Sequence, residues 1–480
     1  RGFAQFEEEL QKRLASGVNL PDLIIRKDAL SRTDQLKYGK NGGLNSLNEY
    51  IDEYSHYFNR VTSYDKELIS NLKMADGNIY GMPWYNDRCY DMYEHAMWIN
   101  KKWLDKLDLK VPKTTNDLYN VLKAFKEDNP NGNDYALEIP LTGSPQEGTV
   151  WGFIMEAFVA HNGEGFREGG NLLMNVEEGK VTPVFTKPEW RDGLKFLNKL
   201  YSEKLIDNEA LIQDKTMVKE KMNADIPLVG AVVCSRLDNV MDIKSERILD
   251  YAYAVPPLKG PKGQQNSKYT PNKYSFSFFI TKACEYPEAA YMWADGFYSE
   301  EISMRKYAGI PGKDWVKSSE GEKGIDGEEG FWKKVIKEQE EDENEEEKSE
   351  NILSYWGERM GPGFLPCSFH KGLIENTQNE FKPEQLLYET AISTYKPYAR
   401  EELWFPLYDQ LSFSISESEK TDNLKNDLYE YINVSTAQFI SGTKDIETEW
   451  DTYLKELEKI GLEKWVDTLQ TVYNRQYVTK

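Results

Sequence analysis

The chain is short of several things at once, and each shortage removes a class of function. It has four cysteines and four histidines in 480 residues. Cys89, Cys234, Cys284 and Cys367 form no CxxC pair and no metal-ligand cluster, which excludes a disulfide-dense scaffold and a zinc-ribbon site. Spacing alone leaves open whether any two are bridged, and four free, partly buried thiols are the expectation. His56, His95, His161 and His370 lie far apart, and G-x-S-x-G, H-E-x-x-H and Walker motifs are missing. A histidine-based triad and the common nucleotide-binding loops are thereby disfavoured. No run approaches the ~18 apolar residues of a membrane span. Positive charge is also scarce: 59 Lys and Arg face 81 Asp and Glu, a net −22. Such a field repels phosphate backbones and anionic bilayers, so no nucleic-acid partner is expected. Part of the acidic excess sits between Glu338 and Glu350 and reads as a solvated face.

Aromatic rings, by contrast, are abundant. Thirty Tyr, 20 Phe and 12 Trp make up 13% of the chain, more than cores alone call for, and surplus rings point to stacking platforms. The length exceeds the ~250–300 residues at which one hydrophobic core stops growing, so more than one core is expected.

Periodicity gives an α/β rhythm. Phe3, Phe6, Leu10 and Leu14 share a helical face that stops at Gly17, and Leu23-Ile24-Ile25 is a short buried-strand run. Asp76-Gly77 is a hairpin signal that places Pro83-Trp84-Tyr85 just past a strand end. Trp98 to Leu107 shows a helical stripe, and Thr114 opens a capped helix through Phe125 with Leu118 and Leu122 inside. A helix follows Pro188, a strand runs from Ile226 to Val233 and ends at Cys234-Ser235-Arg236, and Phe276–Thr281 is a strand before a helix from Pro287 to Tyr298. The tail is helical, with Ile446, Trp450, Tyr453 and Leu457 on one face and Trp465, Leu469, Val472 and Tyr473 on the next. Strand ends face polar residues, as they do at ligand crevices in open α/β sheets.

Sugar recognition needs flat rings under the apolar faces of pyranoses and fixed polar groups around their hydroxyls. Trp84, Tyr85, Asp87, Arg88 and Tyr90 supply both within seven residues. Trp151, Arg236, Phe278, Tyr355, Trp356, Arg359 and Phe364 are further candidates. The net charge favours neutral oligosaccharides over uronate-containing ones. The rival reading is a glycoside hydrolase, because a carboxylate pair is defined in space and could hide among so many acids.

Leu20-Pro21-Asp22-Leu23-Ile24, Asp76-Gly77-Asn78-Ile79-Tyr80-Gly81-Met82-Pro83 and Trp103-Leu104-Asp105-Lys106-Leu107 together resemble the family 1 extracellular solute-binding proteins of ABC transporters, nearest to the alginate-oligosaccharide-binding proteins. Pro112-Lys113-Thr114, Phe439-Ile440-Ser441-Gly442 and Tyr473-Asn474-Arg475-Gln476-Tyr477 continue the resemblance along most of the chain. It implies a periplasmic-binding-protein-like fold of two α/β lobes joined by a hinge, with a helical C-terminal region. The expected lobes are 1–141 with 282–345, and 142–281 with 346–480, the first strand lying upstream of Arg1. It also implies a non-enzymatic, monomeric receptor that delivers an oligosaccharide to a membrane permease. Such a receptor is extracellular or periplasmic, and its only membrane attachment is a lipid anchor on the upstream segment.

Relatives carry a calcium loop reading D-P-N-G-N-G-x-x-D-E-I-P. Here the aligned run is Asn129-Pro130-Asn131-Gly132-Asn133-Asp134-Tyr135-Ala136-Leu137-Glu138-Ile139-Pro140. Two acids have become Asn129 and Leu137, leaving Asn129, Asn131, Asn133 and Glu138 as remnants of a structural calcium site, with no cofactor required.

Overall fold

A computed structural model describes residues 3–93, 96–132, 138–161, 172–271, 273–335, 361–375 and 380–478. In chain order the strands are β1 Leu23–Ile25, β2 Gly81–Asn86, β3 Ala96–Ile99, β4 Ile139–Gly143, β5 Met174–Glu177, β6 Lys180–Pro183, β7 Val229–Cys234, β8 Ala254–Val255, β9 Tyr274–Ile280, β10 Trp315–Lys317, β11 Trp332–Lys334, β12 Gly363–Leu365 and β13 Leu373–Ile374. Eight of them form two four-stranded sheets, in the orders β1-β9-β2-β12 and β4-β7-β3-β8, and the rest form the smaller sheets β10-β11-β13 and β5-β6. Both four-stranded sheets are mixed: β9 is antiparallel to β1 and β2 while β12 is parallel to β2, and β4 is parallel to β7 while β3 is antiparallel to it.

Each four-stranded sheet has its own core. Ile24, Leu36, Leu72, Met82, Tyr85, Phe278, Tyr291 and Tyr298 belong to the first, and Trp98, Leu122, Trp190, Val232, Leu469 and Trp465 to the second. β7 is buried along its whole length, the continuous apolar run expected of a strand covered on both faces. The helix Thr115–Glu127 starts where the sequence predicts, because Thr114 accepts from the Asp117 amide and Asp117 reaches back in a capping box. Its buried stripe of Leu118, Val121, Leu122 and Phe125 lies in the second core, as do β3, Trp315 and Trp332. The two cores therefore do not divide the sequence at residue 141.

The C-terminal region is helical. Ile415–Ser441 packs on Pro188–Ser202 and ends at Gly442, whose φ of 78° suits a left-handed cap, before Ile446–Ile460 and Leu462–Tyr473 follow. Among the described residues no helix is long and apolar enough to cross a membrane.

Three local expectations need correction. Asp76-Gly77 does form a tight turn, with Gly77 at φ 82°, but a helix, Leu68–Leu72, precedes it, so there is no hairpin. Pro83-Trp84-Tyr85 lies inside β2 instead of past a strand end. Proline cannot donate to the ladder, and the pairing with β9 shifts register between Met82 and Pro83. Trp98 and Ile99 belong to β3, and the helix begins only at Lys101, where Asn100 caps it through the Trp103 amide.

Candidate functional site

The chain leaves the first sheet at the end of β2 and enters the second at β3, and the intervening residues gather most of the predicted polar groups. Asp87 is pinned to β12 by its amide, which donates to the Leu365 carbonyl at 2.8 Å. Its buried carboxylate accepts from the Tyr64 hydroxyl at 2.7 Å, while Oδ1 has no partner. Burial and this bond push the Tyr64 phenol up to about 12.

Arg88, next along, meets Arg236 over a single carboxylate. Arg88 Nη2 donates to Glu384 Oε2 at 2.6 Å, and Arg236 Nη1 donates to Glu384 Oε1 at 2.8 Å. The Tyr90 hydroxyl also donates to Glu384, at 2.7 Å. Each arginine has a second acid: Asp91 lies 3.2 Å from Arg88, and Asp238 takes the Arg236 fork through both oxygens at 3.0 and 2.9 Å. The side chains of Arg88, Arg236 and Glu384 are only about one-fifth exposed, at 19, 19 and 20%. Burial alone would raise the Glu384 carboxyl, but the two guanidiniums outweigh it and hold it at about 2.

Local sequence explains how Glu384 arrives. Pro383 begins the helix Pro383–Glu389, which puts Glu384 in its first turn, and Glu375 caps that turn by accepting from the amides of 384 and 385 at 2.9 and 2.6 Å. Burial raises the Glu375 carboxyl in spite of those amides. Beneath the cluster His370 contacts Asn86 Oδ1 at 2.6 Å, and burial, with Arg88 adding to it, lowers its imidazole to about 3.

A disulfide joins Cys89 to Cys367 across a sequence separation of 278. This corrects the expectation of four free thiols. The two half-cystines sit on segments brought together by the parallel pairing of β12 with β2, which local spacing cannot reveal. Cys234 and Cys284 are free.

On the second sheet, Arg236 follows the carboxyl end of β7 as predicted. Beside it Asn239 donates to Glu147 Oε2 at 2.7 Å, the Ser235 amide donates to the Glu147 carbonyl at 3.0 Å, and Lys215 pairs with Glu147 at 3.0 Å. Tyr93 and Tyr269 add a ring pair 5.7 Å apart, with the Tyr93 hydroxyl donating to Glu401 at 2.8 Å.

The predicted stacking rings behave differently from the charges. Alternation along β2 turns Trp84 toward the second core and Tyr85 into the first, where its hydroxyl donates to Asp65 at 2.9 Å. Trp84 is covered by Lys306, whose Nζ sits 4.3 Å from the ring, and by Gly363, where any Cβ would fall 2.1 Å from the indole. Tyr85 and Phe278 are fully buried, and Tyr90 is buried within the ionic cluster. Phe364 packs between Tyr64 and Tyr85 at 5.5 and 5.8 Å. Trp151 lies in the helix Val150–Met155, 5.6 Å from Trp190 in the second core. In this structure these rings are interior and offer no open platform, because residues on β2 and β9 face the cores that the strands build. Tyr64 keeps 45% of its surface exposed. Tyr355, Trp356 and Arg359 lie outside the described residues.

Sequence reasoning missed Glu384, Asp91, Asp238, Tyr64 and Glu375. The pair Pro383-Glu384 signals a helix start, but nothing in it announces a partner almost 300 positions away.

The described start of the calcium-type turn is held by internal bonds. Asn129 Oδ1 accepts from the Gly132 amide at 2.9 Å, and Lys106 Nζ donates to the Pro130 carbonyl at 2.8 Å. An ammonium and an inward Asx bond fit a hard cation poorly. Glu138 Oε1 is buried without a partner, Asn131 is half-buried, Asn133 lies outside the described residues, and no group of three metal-binding side chains occurs among the described residues.

Residues 2–304 match the family model described as bacterial extracellular solute-binding protein. The fructooligosaccharide ABC transporter substrate-binding protein FusA of Streptococcus pneumoniae serotype 4 is 27% identical over 499 residues, covering 99% of this chain and 84% of FusA. A solved EF-hand mutant of FusA in complex with fructo-nystose superposes with a TM-score of 0.75 at 24% identity, covering 99% of this chain and 92% of the other. An HMO-binding, ABC-transporter-associated solute-binding protein from Bifidobacterium longum infantis gives a TM-score of 0.78 at 20% identity, with 98 and 91% covered. The alginate-binding protein AlgQ2, solved without calcium ion, gives 0.67 at 21% identity, with 98 and 89% covered. The fold is that of the periplasmic solute-binding proteins, and the chain belongs to the bacterial extracellular solute-binding protein family.

Proposed function

We propose that this chain is the capture component of an ABC importer: it binds an oligosaccharide between two lobes, hands it to a membrane permease and leaves it chemically unchanged. The observation that carries the reading is the crossing, where polar groups from the ends of β2 and β7 and from the helix at Pro383 converge beside Tyr64, Tyr93 and Tyr269. Two sheets with separate cores, connected by short segments, suit closure around a ligand. FusA, similar along nearly the whole chain, supports the ligand class.

One lobe is built on the sheet β1-β9-β2-β12 and the other on β4-β7-β3-β8 with the C-terminal helices. Contacts to sugar hydroxyls come from Asp87, whose unpartnered Oδ1 is buried and becomes an acceptor only once lobe movement uncovers it, and from Ser235 and Asn239. Arg88, Arg236 and Tyr90 act through the ionic cluster. Tyr64 and Tyr269 supply ring faces, and Trp84, Tyr85, Trp151, Phe278 and Phe364 support them from below.

A hydrolase reading is weaker. A general acid must stay protonated near neutrality and reach the glycosidic oxygen. Glu384 is held ionised between two arginines, and Glu375, though raised, is spent on two backbone amides. The family is extracellular, and a disulfide of this kind persists in an oxidising compartment. A lipid anchor on an upstream segment and a monomeric state complete the proposal, and no cofactor is required.

The test is a thermal-shift panel of neutral and acidic oligosaccharides followed by chromatography of the recovered sugar. A rise in melting temperature with intact sugar supports the proposal. Shortened sugar overturns it in favour of the hydrolase.

A further inference from the structure

Anionic sugars such as uronates are recognised by guanidinium forks, which match a carboxylate with two parallel N–H bonds. At the crossing every Nη of the two guanidiniums already has a partner, and the one remaining nitrogen, Arg88 Nε, is buried out of reach of solvent. Arg236 spends Nε and Nη2 on Asp238 and Nη1 on Glu384, and Arg88 spends Nη1 on Asp91 and Nη2 on Glu384 and Tyr90. Two other cations are also engaged: Lys306 donates to the carbonyls of Gly361 and Pro362, and Arg60 donates to the Tyr298 carbonyl and pairs with Glu300, while Lys396 lies 5.8 Å over the Tyr93 ring. Asp91 and Asp238 flank the two arginines, Glu375 caps the helix that carries Glu384, and Asp87 and Glu401 accept from Tyr64 and Tyr93.

From this arrangement we infer that Glu384 is a built-in counter-ion: it occupies the anion position between Arg88 and Arg236 and restricts the ligand to uncharged oligosaccharides. The inference rests on the oligosaccharide reading above and names its substrate class. A uronate entering this crossing would have to expel Glu384, leaving that carboxylate unpaired, or sit beside it as a like charge with both arginines shared. A neutral sugar needs neither, because it brings no charge to be balanced and its hydroxyls can donate to the cluster's carboxylates where they stand.

The experiment is titration calorimetry on the full chain with tetrasaccharides of equal length. The neutral set is nystose, maltotetraose and xylotetraose, and the acidic set is tetragalacturonate and tetramannuronate. The wild-type chain is expected to bind at least one neutral probe and to bind both acidic ones at least thirtyfold more weakly. Glu384→Gln, checked for folding by its melting curve, is expected to gain at least tenfold for an acidic probe. An acidic probe that binds the wild type within threefold of the best neutral one overturns the inference, as does a folded Glu384→Gln without gain. Where the variant does not fold, the wild-type ratio decides alone. If no probe of either class binds, the oligosaccharide reading itself fails, an outcome separate from failure of the charge preference.

Discussion

Two regions of this molecule are closed by the chain's own charges, and they differ in how deeply those charges are set. At the crossing, Glu384 lies between Arg88 and Arg236 with about one-fifth of each side chain exposed. At the turn around Asn131, an exposed lysine, Lys106, reaches one carbonyl at 2.8 Å. At the crossing the sequence leads one to expect a ligand and at the turn only the remnant of a calcium site, and in both an internal group makes the bond seen. The contrast teaches that burial, more than charge, sets what such a group contributes. Removing one partner from a desolvated pair strands the others, whereas removing a solvated ammonium lets water replace it.

The largest expected effect follows from stranding the arginines. Glu384→Ala leaves two guanidiniums and the Tyr90 hydroxyl without their shared acceptor, and chemical denaturation should show a loss of about 3 kcal/mol. A loss below about 1 kcal/mol would place the crossing in the same class as the turn and break the comparison. Next comes the covalent tie through the same place. Replacing Cys89 and Cys367 together by Ser should lower stability by about 2–4 kcal/mol, because the bridge closes a very long loop in the unfolded chain. Dithiothreitol on the wild type should reproduce that shift, and its absence would show that the crossing holds without the bond.

A third effect separates the titrating groups. His370 has a folded value of about 3 against an ordinary 6.5, so its contribution is full above pH 6.5 and is lost as pH falls toward 3. That amounts to about 2 kcal/mol between pH 6.5 and 5. Glu384, held at about 2, keeps its contribution down to about pH 4.5 and loses it between there and pH 2. Melting curves of wild type and His370→Gln between pH 7 and 5 should therefore converge as the pH falls, because only the wild type carries this loss. Parallel curves would mean that His370 is not held neutral by burial and Arg88.

Much of the fold is legible in the sequence because its signals are local. The capped helix at Thr115, the helix after Pro188 and the apolar run of β7 follow from residues within a turn or two of one another. The site is half legible. Arg88, Asp87 and Arg236 stand out as polar residues at strand ends; the two arginines meet over Glu384, while Asp87 bonds Tyr64 instead. Their partner Glu384 and the Cys89–Cys367 bond depend on β12 pairing with β2, a contact between residues about 280 positions apart, and no local pattern encodes it. Tyr85 and Phe278 are misread for a related reason. A ring in a polar stretch looks available until the strand's period of two decides which face it occupies.

The smallest effect tests the other side of the comparison. With Asn129 turned inward to the Gly132 amide and Lys106 on the Pro130 carbonyl, the described part of the turn carries a positive group where relatives' acids would attract calcium. Millimolar EDTA should leave the melting temperature within about one degree, since a ligand that does not bind the native state cannot stabilise it. Lys106→Ala should cost only about 0.5–1 kcal/mol, because a solvated ammonium at an exposed position contributes little. A rise of several degrees with calcium would mean that Asn131 and Glu138 still assemble a cation site, and that this turn, unlike the crossing, keeps its closing charge displaceable.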